Sequence, residues 1–326
     1  MSSTPFKILN KETDFSFFTD TFHLEINRNA PDDVLSSSRL LPGAKTTGRI
    51  LNLVSDFKKI FIAPTGIFFH MFSDTVGPLL QQYALDSNVE IVIDTSVLSN
   101  QMFVTGDTKF NKDTFTGFFI DALVSKGISV TLFDRNNYDY INLNNFYIND
   151  FQFYVGDTYS DMFNLFKEQV IPQEAVPYRY TYLSRKAVQS DHNRVDDESV
   201  LESYFSGLGY EIIYPEDFVS FPDQLRYMYS VKVLVALSGS GLLNSVFMQP
   251  GQTVVEILTP LIIPLGNTEN PYKSSLIEDL HHFYSVMCFK KSHLYMAVDN
   301  KERKAVDVIS KIENNHKLKQ LLSSVE

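Results

Sequence analysis

At 326 residues, 44% of them hydrophobic and 13% aromatic, the chain is long enough for two domains or one large one with well-developed cores. Its 28 Lys and Arg against 39 Asp and Glu leave a formal charge of -11, which argues against a general nucleic-acid binder and still permits a local basic site for a small anion. The lone Cys288 rules out an intrachain disulfide and a cysteine-rich zinc site. No apolar run reaches the roughly 18 residues of a membrane span, and the start M-S-S-T-P-F-K lacks the apolar core of a signal peptide. The expectation is a cytoplasmic protein with no integral membrane segment, able to work at a membrane face.

Residues 1–50 carry turn-like A-P-D-D and L-P-G segments around Pro31 and Pro42 and precede the first expected core strand, K-I-F-I-A at 59–63. Pro64-Thr65-Gly66 then leads into a helical pattern in which His70 and Asp74, four apart, share one face. That spacing can bring an imidazole and a carboxylate to one ligand, or make a surface pair worth about a few tenths of a kcal/mol. V-E-I-V-I-D at 89–94 reads as a strand, 112–126 as a helix and G-I-S-V-T-L-F at 127–133 as a further strand, an alternation that favours an α/β layer with parallel pairing. The Asn-, Tyr- and Phe-rich stretch 134–160 reads as extra strands, either carrying an acceptor surface or packed into a core.

Pro172 and Pro177 mark a crossing between domains, giving 1–172, 173–300 and a C-terminal helix at 301–326. The second half repeats the α/β logic, with a strand at 178–183, a helix at 197–208, a strand at 210–214 and a helix at 221–230 whose Pro222 fits a first helical turn. Ser184, Arg185 and Lys186 follow the first of these strands, and Arg194 leads into the next helix with Glu198 four residues on. Two arginine forks beside a glycine turn would suit a diphosphate, whereas Arg194 and Glu198 could equally form a surface pair.

V-K-V-L-V-A-L-S-G-S-G-L-L-N-S-V-F-M-Q-P-G-Q-T-V-V-E-I at 231–257 organises this half. Its apolar run suits a central parallel strand, the chain breaks at Gly239 and Gly241, 242–248 reads as a helix, and 253–257 as a second strand carrying Glu256. Such a turn can cradle a phosphate on free amides or simply connect strand to helix; it is neither a Walker A loop nor a complete G-x-G-x-x-G. A late strand is expected within 281–289. No D-x-D triplet occurs, so a diphosphate would have to rely on arginines and amides rather than on a metal anchored there.

Four stretches, S-R-K-A-V-Q-S-D-H-N-R-V-D-D-E, Y-E-I-I-Y-P-E, F-P-D-Q-L and L-S-G-S-G-L-L-N-S-V-F-M-Q-P-G-Q-T-V-V-E-I, resemble glycosyltransferase family 61 in order and spacing. F-F-H-M-F-S-D extends the likeness more thinly into the first half. The resemblance implies an α/β fold of GT-B type, two Rossmann-like domains facing a central cleft. It also implies inverting, metal-independent transfer of a monosaccharide from a nucleotide sugar to a glycan or glycoconjugate hydroxyl; the donor is expected to be UDP-linked, although no motif residue reads the base. The nucleotide sugar would be a co-substrate, with no cofactor and no nucleic-acid partner.

Carried over residue by residue, the resemblance makes Arg185 and Arg194 donor-binding and Glu198 their orienting acid. Gln224 becomes site-lining, Ser238, Gly239, Ser240 and Gly241 the donor turn, Asn244 the motif asparagine, and Glu256 a carboxylate near the ribose. Asp74 becomes the base, with His70 orienting it or touching the leaving diphosphate. Two departures stand out: Ser238 replaces the family's histidine, so a hydroxyl donor replaces a potential cation, and Asp197 replaces the asparagine before Glu198. A non-catalytic carbohydrate- or nucleotide-binding protein is the competing expectation. An NAD-dependent oxidoreductase fits less well, because the glycine turn lies deep in the second half without its fingerprint.

Overall fold

The structure is a computed structural model and describes residues 15–18, 22–25, 39–42, 48–62, 88–94, 111–134, 137–149, 176–185, 195–258, 292–297 and 304–323. The chain divides into two compact units, Met1–Gln169 and Val170–Glu326.

The first unit holds strands β1 (Phe15–Phe18), β2 (Phe22–Glu25), β3 (Arg39–Pro42), β4 (Ile50–Leu53), β5 (Lys58–Ile62) and β6 (Val89–Asp94), helix α1 (Phe115–Ser125), and strands β7 (Ser129–Phe133), β8 (Tyr140–Leu143) and β9 (Phe146–Asn149). One sheet runs β1-β9-β5-β6-β7, parallel throughout except where β1 lies antiparallel on β9. The other runs β3-β2-β8-β4 and is antiparallel except for the β4–β8 pair. Ile91, Val92 and Ile93 are all buried, as expected of a strand covered on both faces. Helix α1 starts where the Thr114 hydroxyl accepts from the Gly117 amide at 3.2 Å.

The extra strands expected in 134–160 include β8 and β9, which join different sheets. Only Asn144 and Asn145 separate them, with Asn145 in the left-handed region at φ 48°, a conformation asparagine tolerates. Lys59, fully buried, pins this corner. Its backbone amide donates to the Asn145 carbonyl at 2.8 Å, and its ammonium to the carbonyls of Phe57 at 2.8 Å and Asn144 at 3.2 Å. Burial lowers its pKa, against the opposing pull of Glu90 and Asp56.

The second unit holds β10 (Arg179–Leu183), α2 (Glu198–Gly207), β11 (Glu211–Ile213), α3 (Phe221–Tyr229), β12 (Val231–Leu237), a 3-10 helix (Ser240–Phe247), β13 (Thr253–Leu258), β14 (Ser292–Ala297), α4 (Ala305–Asn314) and α5 (His316–Leu322). Its sheet order is β11-β10-β12-β13-β14, every pair parallel. Val233, Val235 and Leu237 of β12 face a core shared with Leu201 and Phe205 of α2, Val308 and Ile312 of α4, and Leu318 and Leu322 of α5. By the strand's two-residue period, Leu234 and Ala236 turn to the opposite face. There α3 packs on the 3-10 helix, with Phe221 and Phe247 edge to face at 5.6 Å. Helices on both faces of a parallel sheet make this a doubly wound α/β unit.

Two details differ from the sequence reading, and a third is outside the described residues. The helix expected at 242–248 is the 3-10 helix. The C-terminal segment is two helices meeting at Asn315, whose side chain accepts from the Leu318 amide at 3.1 Å and so caps α5. The strand expected within 281–289 lies outside the described residues, and β14 follows it. Among the described residues no helix is long and apolar enough to cross a membrane.

Candidate functional site

Parallel pairing brings the carboxyl ends of β10, β12 and β13 side by side, with Leu183 opposite Ala236 and Ala236 opposite Glu256. From β10 the chain moves to β11 on one flank and then returns to β12 on the other. The point between β10 and β12 is therefore where strand order reverses, the place at which open α/β sheets bind ligands. Ser184-Arg185 leave β10 there, and Ser238-Gly239 leave β12 there.

The two segments fit closely. Nη1 of Arg185 donates to the Ser238 carbonyl at 3.4 Å. A Cβ on Gly239 would lie 1.5 Å from that Nη1, so any other residue would expel the guanidinium, and φ at Gly239 is 157°, which L residues rarely adopt. Gly241 has a different neighbour: its Cβ would meet Cδ2 of Leu183 at 2.7 Å, so its small size lets the 3-10 helix close on β10. Both open readings of the glycine turn thus have a physical basis, Gly241 serving packing and Gly239 making room for a cation. Nε of Arg185 is buried without a hydrogen-bond partner among the described residues, which leaves a donor for an anion.

Two carboxylates, one helical turn apart on α2, hold the segment that carries Arg185. Glu198 accepts from the Arg185 backbone amide at 2.8 Å and from the Tyr182 hydroxyl at 3.0 Å. Burial raises its pKa, against the lowering effect of those two bonds and of the Arg185 charge. Glu202 accepts through one oxygen from the Ser184 hydroxyl at 2.7 Å and the Tyr214 hydroxyl at 3.0 Å. Asp197 is the N-cap of α2, its side chain accepting from the Ser199 amide at 3.0 Å. An asparagine oxygen would accept the same bond, so the replacement of the expected asparagine leaves the cap intact.

Asn244 is almost fully buried. Its amide donates to the Gly241 carbonyl at 2.8 Å and its oxygen accepts from Nε2 of Gln224, tying α3 to the glycine turn. These two side chains fix the turn's shape through each other. Ser238 and Glu256 are buried at the strand ends, and Ser240 opens the 3-10 helix. His70, Asp74 and Arg194 lie outside the described residues.

Sequence reasoning missed Tyr182, Glu202 and Tyr214. Glu202 could have been found from its four-residue spacing to Glu198, which puts both on one face of α2. Among the described residues no group of three or more His, Cys, Asp or Glu side chains is placed to hold a metal ion.

These features define an α/β protein with an arginine and a tight glycine turn at a topological switch point. The family model for glycosyltransferase 61 matches residues 68–255, more than half of the chain, and the protein belongs to that family. The match contains Arg185, Glu198, Glu202, Gly239 and Asn244, and stops one residue before Glu256. A search of curated proteins finds no match.

Proposed function

We propose that this member of a glycosyltransferase family is an inverting, metal-independent enzyme that moves a monosaccharide from a UDP-linked sugar to a hydroxyl of a glycan or glycoconjugate. The observation that carries the donor assignment is the Arg185 guanidinium seated over Gly239 at the switch point, with a buried donor at Nε that has no hydrogen-bond partner among the described residues. When the sugar–phosphate bond breaks, negative charge grows on the departing diphosphate, and a preorganised guanidinium stabilises it without reorganising. Arg194 supplies a second positive charge to the same group, Asn244 and Gln224 keep the turn in shape, and Glu256 takes the ribose. In the GT-B plan the second unit binds the donor and the first contributes the base. Asp74 there removes the acceptor hydroxyl's proton as its oxygen attacks the anomeric carbon opposite the leaving phosphate, with His70 orienting the carboxylate.

The test is a thermal-shift screen with UDP, GDP, CDP and TDP, each with and without magnesium, followed by a transfer assay. UDP at about 100 times its Kd is expected to raise Tm by roughly 5 to 10 °C, equally with and without magnesium. Arg185→Ala should cut the shift to about half or less, whereas Asp74→Asn should keep it and lose transfer. A shift that requires magnesium would remove the metal-independent reading, and full transfer by Asp74→Asn would remove the base.

One observation favours a second reading, a binding protein without catalysis. Ser238 offers no positive charge where the family pattern has histidine, and its carbonyl already takes a bond from Arg185. Nucleotide binding with no turnover against any donor would select it.

A further inference from the structure

Three consecutive residues, Leu183, Ser184 and Arg185, form the exit of β10, and they are held by different contacts. Glu198 holds the Arg185 amide, but nothing in that contact fixes the turn of chain just before it. Glu202 supplies that restraint. One of its oxygens receives the Ser184 hydroxyl from the residue after β10 and the Tyr214 hydroxyl from the residue after β11, bridging the ends of two paired strands. Ser184 is 1% exposed, and its amide donates to the Ile213 carbonyl at 2.9 Å, so its backbone and its side chain are both held.

We propose that Glu202 is a positioning residue for the donor site, setting through Ser184 the direction in which Arg185 leaves the strand and hence where its guanidinium meets a diphosphate. This rests on the donor-site reading above. The Coulomb effect of Glu202 alone has the opposite sign: a carboxylate near an anion site repels the anion, so its removal should tighten binding. Positioning predicts that its removal weakens binding. A glutamine separates the two roles, because its amide oxygen can accept both hydroxyls while carrying no charge.

The experiment uses the full chain and inorganic pyrophosphate as the probe, with binding measured by calorimetry and Tm measured without ligand. Glu202→Ala is expected to raise the pyrophosphate Kd about tenfold, the loss associated with misplacing one charge-assisted bond. Glu202→Gln is expected to bind as tightly as the wild type or more tightly. Ser184→Ala, a smaller change that removes one of the two bonds, should weaken binding in the same direction and serves if Glu202→Ala does not fold. Unchanged or tighter binding by Glu202→Ala or Ser184→Ala overturns the proposal, as does a Glu202→Gln variant as weak as the alanine. If the wild type itself does not bind pyrophosphate, the donor-site reading falls and takes this inference with it. Failure of the variants to differ from a wild type that does bind overturns the inference alone.

Discussion

A methyl group on Gly239 would lie 1.5 Å from Nη1 and 2.7 Å from Cζ of Arg185, well inside contact distance. The guanidinium is the far end of a flexible side chain, so Gly239→Ala is expected to fold while pushing Arg185 off the turn. The cost in stability is then the strained backbone, about 1 to 3 kcal/mol. The cost in binding is one misdirected charge-assisted contact, a rise of about tenfold or more in the Kd for UDP. Calorimetry on Gly239→Ala beside Arg185→Ala tests this. The two should be similarly weak, and an alanine variant that binds like the wild type would show that the guanidinium does not act from the place it occupies here. Gly241→Ala makes a contrast, because the methyl would meet Leu183 rather than a charge, so its effect should fall on Tm.

Helix α4 has no side-chain cap of its own, since Lys304 at its N-cap position makes no capping side-chain hydrogen bond. Asp196 fills the role from across the unit, with one carboxylate oxygen accepting from the Ala305 amide at 2.8 Å and from the Asp197 amide at 2.8 Å. The carboxylate thus lies at the positive end of the helix and beside the cap of α2, joining the C-terminal helices to the segment that opens with Glu198. Asp196→Ala should lower stability by about 0.5 to 2 kcal/mol, read as a shift in the denaturation midpoint, with Asp196→Asn retaining most of it because its oxygen still accepts. A loss no larger than that of a neutral surface change would remove the coupling. These elements differ in how far the sequence announces them. Val231–Leu237 was legible because a strand covered on both faces is one apolar run, and α2 and α3 because Asp197 and Ser220-Pro222 are start signals that local chemistry sets. The four-stranded sheet was not legible: β2 and β8 are four residues each, too short for a period to stand out, and Phe22 pairs with Leu143 from far along the chain. The arginine and glycine turn of the site were legible as motifs, whereas Glu202 and Tyr214 acquire their role only from the pairing of β10 with β11, which no local pattern encodes.

On the proposed reading, the residues assigned to binding and to chemistry fall in different units by residue number. Arg185, Glu198, Glu202, Gly239, Gly241, Asn244 and Glu256 all belong to Val170–Glu326, whereas His70 and Asp74 belong to Met1–Gln169. The second unit also carries a core of its own, since the described residues packed on one face of its sheet run from Tyr180 to Leu322. A fragment of residues 170–326 is therefore expected to fold cooperatively and to bind UDP with a Kd within about tenfold of the full chain, because the contacts that fix Arg185 are internal to it. It should transfer no sugar, since the proposed base is missing and binding alone does not deprotonate an acceptor. Circular dichroism melts and calorimetry on the fragment, beside a transfer assay on fragment and full chain, make the comparison. A folded fragment that binds nothing would mean that the donor site is completed by residues before Val170. A fragment that still transfers would move the base out of the first unit altogether, and the buried Glu198, with its raised pKa, would become the first carboxylate to test in its place.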